Sequence, residues 1–274
     1  MFGSVGRWTS VASTAVACCL TACASAAAPA STETACTALN VCYCINPGNK
    51  SDIAANIAGI RQKIAAEKAK GHAIGYVSIP LSPVGGGNFD VNREVSKRTK
   101  DDVEDRLGAQ SVWMLDPAAE GDLPSGASGA DYMYMWTTIL EGQRGLGEDF
   151  DFIYFVGPQD FSRFFKLTGK SDLATIESFF DDRASSNSKF KQAIDKGEVT
   201  KAGFRNYYGL RASVAFSYGS HDEWNIARLL NERRRGAADF GLANQLAVLF
   251  DGRGASPSDF EIPVAAGDAG RCIK

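Results

Sequence analysis

Short apolar runs that end at proline or glycine alternate along this chain with longer stretches whose apolar residues recur every three or four positions. The runs Ala73–Leu81, Val112–Leu115 and Phe152–Val156 are rich in Ile, Val, Leu and aromatic residues. They stop at Pro80 and Pro83, at Asp116-Pro117 and at Gly157-Pro158. Runs this brief read as strands buried on both faces, since a membrane helix needs about 20 apolar residues. Between them, Ile53, Ile57, Ile60 and Ile64 recur at helical spacing in a stretch that Ser51 can cap and Gly71 stops. Tyr132, Met135, Trp136, Ile139 and Leu140 repeat the pattern from Asp131 onward. Strand and helix in alternation predict a three-layer α/β fold, a mainly parallel sheet with helices on both faces.

The same reading places further elements. A polar helix is expected from about Asn92 to Leu107, closed by Gly108. Helices around Phe161–Leu167, Asp172–Phe180 and Ser188–Ile194 form a helical insertion, in which Phe164, Phe165, Phe179 and Phe180 are expected as core. A strand Ala212–Phe216, a turn Ser217–His221 and a helix from Asp222 to about Arg234 follow, and Ala247–Phe250 is a last strand. Arg233-Arg234-Arg235 reads as the solvated last turn of that helix, where cations oppose the negative end of the dipole.

The first residues read as an address. Arg7 in a short polar start precedes the apolar run Val11–Leu20, too short to span a bilayer. One reading is a secretory signal cut after Ala24-Ser25-Ala26. The other starts from Leu20-Thr21-Ala22-Cys23, which resembles the lipobox of bacterial lipoproteins. That resemblance implies a signal peptide over 1–22, a lipid on Cys23 and a membrane-anchored protein of the bacterial cell envelope, facing the periplasm or exterior. Ala24–Thr37 is Ala, Ser, Thr and Pro with one charge, so residues 23–40 are expected as a flexible tether and 41–274 as a single domain.

Cysteine usage agrees with export. Cys18 and Cys19 leave with the signal, and Cys36, Cys42, Cys44 and Cys272 remain, an even number that suits two disulfides in an oxidising compartment. On extended backbone Cys42 and Cys44 sit about 7 Å apart, too far for a comfortable bridge. Two pairings stay open: Cys36 with Cys42 plus Cys44 with Cys272, or Cys36 with Cys44 plus Cys42 with Cys272. With two His in the chain and no second close Cys pair, no metal and no cofactor are expected. The net charge of −3 and a pI near 5.5 predict no nucleic-acid partner.

In an open parallel sheet, ligands bind beyond the carboxyl ends of the strands. The loops there hold Ser82 and the glycines Gly85, Gly86 and Gly87, then Asp116, then Asp160, then Ser217–Glu223. The last is the densest, placing Ser220, His221, Asp222 and Glu223 on one strand-to-helix turn, where a carboxylate can act as nucleophile or base and the helix N-terminus favours its ionised form. Ser220 and Asp222 also suit an N-cap, and Asp116 and Asp160 suit strand-end turns. The glycine loop lacks the spacing of a dinucleotide fingerprint and the Gly-Lys-Ser/Thr of a P-loop, so it reads foremost as a surface loop.

Ile79-Pro80 after the first strand, an Asp at 116 or 160, and Glu223 with Ala227 resemble nucleoside deoxyribosyltransferase-like proteins. The resemblance implies that Glu223 is the glycosyl-accepting nucleophile and an Asp its proton partner; the glycine and tyrosine usual after that Glu are missing. Two functions therefore stand. One is an exported enzyme or binder of a small polar, nucleoside- or sugar-like ligand at the strand ends. The other is a non-catalytic envelope lipoprotein that contacts other proteins; no particular protein partner is indicated.

Overall fold

A computed structural model describes residues 31–81, 85–209, 217–237, 245–260 and 272. Its centre is the strand β3 (Ala73–Ser78), which pairs in parallel with β4 (Val112–Leu115) on one side and β5 (Phe152–Phe155) on the other. Beyond β5 lie β6 (Ala247–Phe250), also parallel, and the short antiparallel β7 (Arg253–Gly254). The order among the described residues is therefore β4-β3-β5-β6-β7. The expected strand at 212–216, the signal at 1–22 with Cys23, and Ser82 lie outside the described residues.

Helices cover both faces, as the alternation predicts. The helices α1 (Lys50–Ala69), α3 (Gly129–Glu141) and α8 (Tyr218–Gly236) pack together on one side, with α3 touching both of the others. The helix α2 (Phe89–Leu107) packs on β3 and β4 and meets α4 (Pro158–Phe165). Chain direction assigns the strand residues to these layers: Ile74, Tyr76 and Ser78 alternate with Gly75 and Val77. Tyr76 meets Trp136 of α3 edge-on, with ring centroids 6.1 Å apart, so its face is the α1–α3–α8 face. All described residues lie in one compact unit, and among them no helix is long and apolar enough to cross a membrane.

The helical insertion follows β5. It comprises α4, α5 (Asp172–Ser186), α6 (Ser188–Asp195) and α7 (Lys201–Gly209). Its aromatic residues form a core of their own, centred on the fully buried Phe204, whose ring lies 4.4–6.2 Å from those of Phe165, Phe179, Phe180, Phe190 and Tyr208. The helix α7 was not expected, because KAGFRNYYG carries two glycines and little helix propensity; burial of Phe204, Tyr207 and Tyr208 holds it.

Several boundaries differ from expectation, and side-chain capping explains those of α2, α3 and α8. Asn49, not Ser51, occupies the cap position of α1, and its amide donates to Asp131 Oδ2 at 3.2 Å. Asn88 Oδ1 accepts from Val91 N at 3.0 Å, so α2 starts before Asn92. Ser128 and Asp131 form a reciprocal capping box that starts α3 at Gly129. At α8, Ser217 Oγ accepts from Ser220 N at 3.2 Å, so the helix begins at Tyr218 and absorbs what was expected as a turn.

Arg234 is a correction. It is buried, not solvated, and its guanidinium donates to the carbonyls of Leu146 and Gly147, both at 2.7 Å. Arg233 and Arg235 stay at the surface. The helix stripe explains this, since Arg234 stands four residues after the buried Leu230.

The stretch expected as tether ends early. Glu33–Cys36 forms β1, antiparallel to β2 (Cys42–Ile45), with Cys36 directly opposite Cys42. Those two cysteines are bonded to each other, and Cys44 is bonded to Cys272, which decides between the two open pairings. Pairing and the bridge supply an order that the composition of residues 33–40 does not. The second disulfide ties the hairpin to residue 272 across a separation of 228 residues. Buried Tyr43 seats the hairpin on α3, its hydroxyl 2.7 Å from Thr137 Oγ1.

The sheet leaves no room at Gly75. A Cβ there would stand 2.2 Å from the Met114 sulfur and 2.5 Å from the Phe152 ring. Both side chains cross the central strand because glycine vacates it. Gly75→Ala is expected to lower stability by about 1–3 kcal/mol or more, read from the midpoint of urea denaturation, with the secondary structure of the folded form unchanged.

Candidate functional site

The carboxyl ends of the strands receive the start of α8, and with it Asp222 and Glu223. Both are buried, at 6% and 7% exposure. They stand in the second turn, because the helix begins at Tyr218. This corrects the expectation that the helix N-terminus keeps them ionised, as that influence fades beyond the first turn. Burial instead pushes the Glu223 carboxyl up to about 7 and the Asp222 carboxyl up to about 6.

Strand β3 supplies the partners. The Tyr76 hydroxyl, with its side chain fully buried, donates to Glu223 Oε1 at 2.5 Å. Ser78, two residues on and therefore on the same face, is close enough to lower the Glu223 pKa but makes no directional hydrogen bond. The Ser220 hydroxyl is also buried and has no hydrogen-bond partner among the described residues. The charge of Asp222 raises the Glu223 pKa further, and no cation is among the groups acting on it. Both carboxylates also raise the pKa of Tyr43, which burial has already pushed well above its ordinary range. Two tyrosines and two carboxyls thus share one buried neighbourhood on the α1–α3–α8 side.

The other candidates fall into place around it. Asp116 is buried; its Oδ1 accepts from Ser96 Oγ at 2.5 Å and from Ala118 N at 3.0 Å. Burial raises its pKa, while its hydrogen bonds and the charges of Lys100 and Arg93 oppose the rise. Its charge reaches Tyr76, so it borders the Glu223 neighbourhood without bonding into it. Asp160 is engaged elsewhere. Its carboxylate accepts from Gly157 N at 2.9 Å and from the Tyr154 hydroxyl at 3.0 Å, and pairs with Arg163. It closes the first turn of α4, and none of the groups acting on it acts on Glu223. His221 is half-buried beside the acids.

The glycine loop is packed, not an open cradle. Gly85 and Gly86 have φ of +86° and +107°, and a Cβ on Gly86 would stand 2.5 Å from the Gly203 carbonyl oxygen of α7. Gly87 lies against the Tyr207 ring, and Tyr208 receives a bond from Asn88 N at 3.0 Å. Gly86 serves close approach to the backbone of α7, and Gly85 and Gly87 lie against the Tyr207 ring. Among the described residues no group of three or more His, Cys, Asp or Glu could hold a metal ion.

Sequence reasoning named the acids and missed the tyrosines. Tyr76 and Ser78 were hidden inside an apolar run, although their spacing of two puts both polar groups on one face at its carboxyl end. No protein-family model, curated protein or solved structure matches this chain.

The raised carboxyl makes stability depend on pH with a definite sign. Between the ordinary Glu value of 4.5 and the folded value of about 7, the unfolded chain has lost the proton that the folded one keeps. Stability that is full below pH 4.5 is therefore lost as pH rises through 7, by about 3 kcal/mol from this group. Urea denaturation at pH 4.5 and pH 8 is expected to show that fall, and Glu223→Gln is expected to remove this part of it.

Proposed function

We propose that the domain binds and processes a small, hydroxyl-rich, nucleoside- or sugar-like ligand at the carboxyl ends of its strands, with Glu223 as the reactive carboxylate. The observation that carries this reading is a buried acid pair, Asp222 and Glu223, in which Glu223 meets the Tyr76 hydroxyl and no described residue supplies a compensating cation. A structural carboxylate at such depth is ordinarily paired or saturated with donors. This one keeps a pKa near neutrality, the range in which a group both gives and takes a proton.

The resemblance to nucleoside deoxyribosyltransferase-like proteins gives the reading its chemistry. Ionised Glu223, oriented through Oε1 by Tyr76, attacks the anomeric carbon with its other oxygen and forms a glycosyl ester. The departing base takes a proton from Asp222, so the reactive form is the less populated one of the singly protonated pair, with the proton on Asp222 (pKa about 6) and Glu223 (about 7) ionised. Transfer to water or to a second acceptor then regenerates the carboxylate. Incubation of the purified, oxidised protein with deoxynucleosides is expected to release free base, measured by chromatography. Glu223→Gln is expected to cut that release by about 100-fold or more with the fold intact by circular dichroism. Equal release by the variant, or neither release nor a thermal shift with nucleosides, nucleotides or sugars, overturns the assignment.

The same proposal places the chain in the bacterial envelope, held by a lipid on Cys23. Support comes from the lipobox-like Leu20-Thr21-Ala22-Cys23 and from two disulfides, which persist in oxidising compartments. Expressed in a bacterium, the full chain is expected in the membrane fraction, and Cys23→Ala is expected to abolish lipid labelling and release the protein from it. Unlabelled wild-type protein in the soluble fraction refutes the anchor.

A further inference from the structure

The molecule has a concave site away from Glu223. It is a cleft of about 400 Å³ beside the edge strand β4, between α2 and the loop that leaves β4. That size suits a small molecule. Arg93, Lys97 and Lys100 line it from α2, spaced by four and three residues so that they share a helix face. Trp113 lines it from β4, and Asp116 and Glu120 from the loop; Glu223 is not among its residues.

Most of these charges already have partners. Lys97 bonds Asp101 at 2.7 Å, Lys100 bonds Glu104 at 2.7 Å, and Glu120 pairs with Lys63. Two groups differ. Arg93 lies over the Phe89 ring, 5.6 Å from its centroid, with no carboxylate partner among the described residues. Asp116 uses only Oδ1 for its bonds to Ser96 and Ala118, and Oδ2 accepts none among the described residues. Asp116 is only 4% exposed and lines the cleft, so the cleft is where Oδ2 can meet a donor.

We propose that this cleft binds a hydroxylated acid of monosaccharide size. Its carboxylate or phosphate meets the Arg93 guanidinium, whose planar fork matches either anion with two parallel bonds. Its hydroxyls donate to Asp116 Oδ2, because an ionised carboxylate can only accept. Its carbon face lies on the Trp113 ring, an apolar surface that Met114, Ala118 and Ala119 extend. The acids Glu94 and Asp101 also line the cleft but pair with Arg183 and Lys97, which leaves Arg93 as the lining charge, other than Asp116, without an ion-pair partner among the described residues. A neutral sugar leaves Arg93 unused. The proposal does not depend on the chemistry assigned to Glu223.

Titration of the purified, oxidised protein with D-glucuronate, D-glucose 6-phosphate and D-glucose tests it, read by tryptophan fluorescence and by thermal shift. At least one of the two acids is expected to bind saturably, and glucose roughly tenfold more weakly or worse. Which acid binds identifies the anion. Arg93→Gln, a change at a half-exposed position, is expected to weaken the acid by roughly tenfold or more and leave glucose unchanged. Trp113→Phe is expected to remove the fluorescence change and keep a thermal shift, while Glu223→Gln is expected to leave binding as it was. The proposal is overturned if neither acid binds at millimolar concentration, if glucose binds equally well, or if Arg93→Gln has no effect. It is overturned too if Glu223→Gln abolishes binding, which would seat the acid at the other site.

Discussion

A strand paired along both edges and covered on both faces has no water to satisfy its polar side chains, and β3 is such a strand. Everything about the candidate site follows from that constraint. Tyr76 and Ser78 bring hydroxyls into the layer beneath α3 and α8, and a buried hydroxyl without a partner costs about 1–3 kcal/mol. Glu223 meets the Tyr76 hydroxyl, but in doing so it imports a carboxyl whose charge no cation among the described residues cancels. Protonation is the remaining relief, which is why this group titrates near neutrality. Other buried charges in the chain are resolved differently. Arg234 is saturated by backbone carbonyls, and Asp160 by Gly157, Tyr154 and Arg163.

The layered architecture was legible because burial on both faces leaves a plain trace in sequence. Val112–Leu115 coincides with β4, and Ala247–Phe250 with β6, since short apolar runs closed by turn residues have few other uses. The helix starts were less legible. Asn88, Ser128 and Ser217 each cap a helix that was expected to begin two or more residues later, because a cap is a local hydrogen bond and leaves no periodic signal. The hairpin β1–β2 was hidden for another reason. Its strands are four residues long, and their order comes from Tyr43 packing and from two disulfides whose pairing sequence alone left open.

The candidate site was half legible for a related reason. Glu223, Asp222 and Ser220 stood out by density, whereas Tyr43 and Tyr76 read as ordinary aromatic residues of strands. A sharper clue was available in α8. Glu223, Ala227, Leu230 and Arg234 recur at spacings of four, three and four, the period of a buried stripe. A carboxylate at the head of an apolar stripe and a guanidinium at its foot are both out of place by composition, and both are buried.

These two exceptions do unequal work. At the foot of α8, Arg234 binds the loop at residues 146–150, and buried Asn231 holds Leu246 through both its amide oxygen, at 2.6 Å, and its amide nitrogen, at 3.3 Å. Ile226, Ala227 and Leu230 supply the apolar contact between them. The helix is thus fixed in place by residues after Glu223, and the acid adds one hydrogen bond at the price of a raised pKa. A carboxyl whose one hydrogen bond a neutral side chain could also make, held rigidly on an element that the fold does need, is how a reactive side chain is kept to one geometry. That asymmetry along a single helix is the strongest reason to read Glu223 as chemistry and Arg234 as structure.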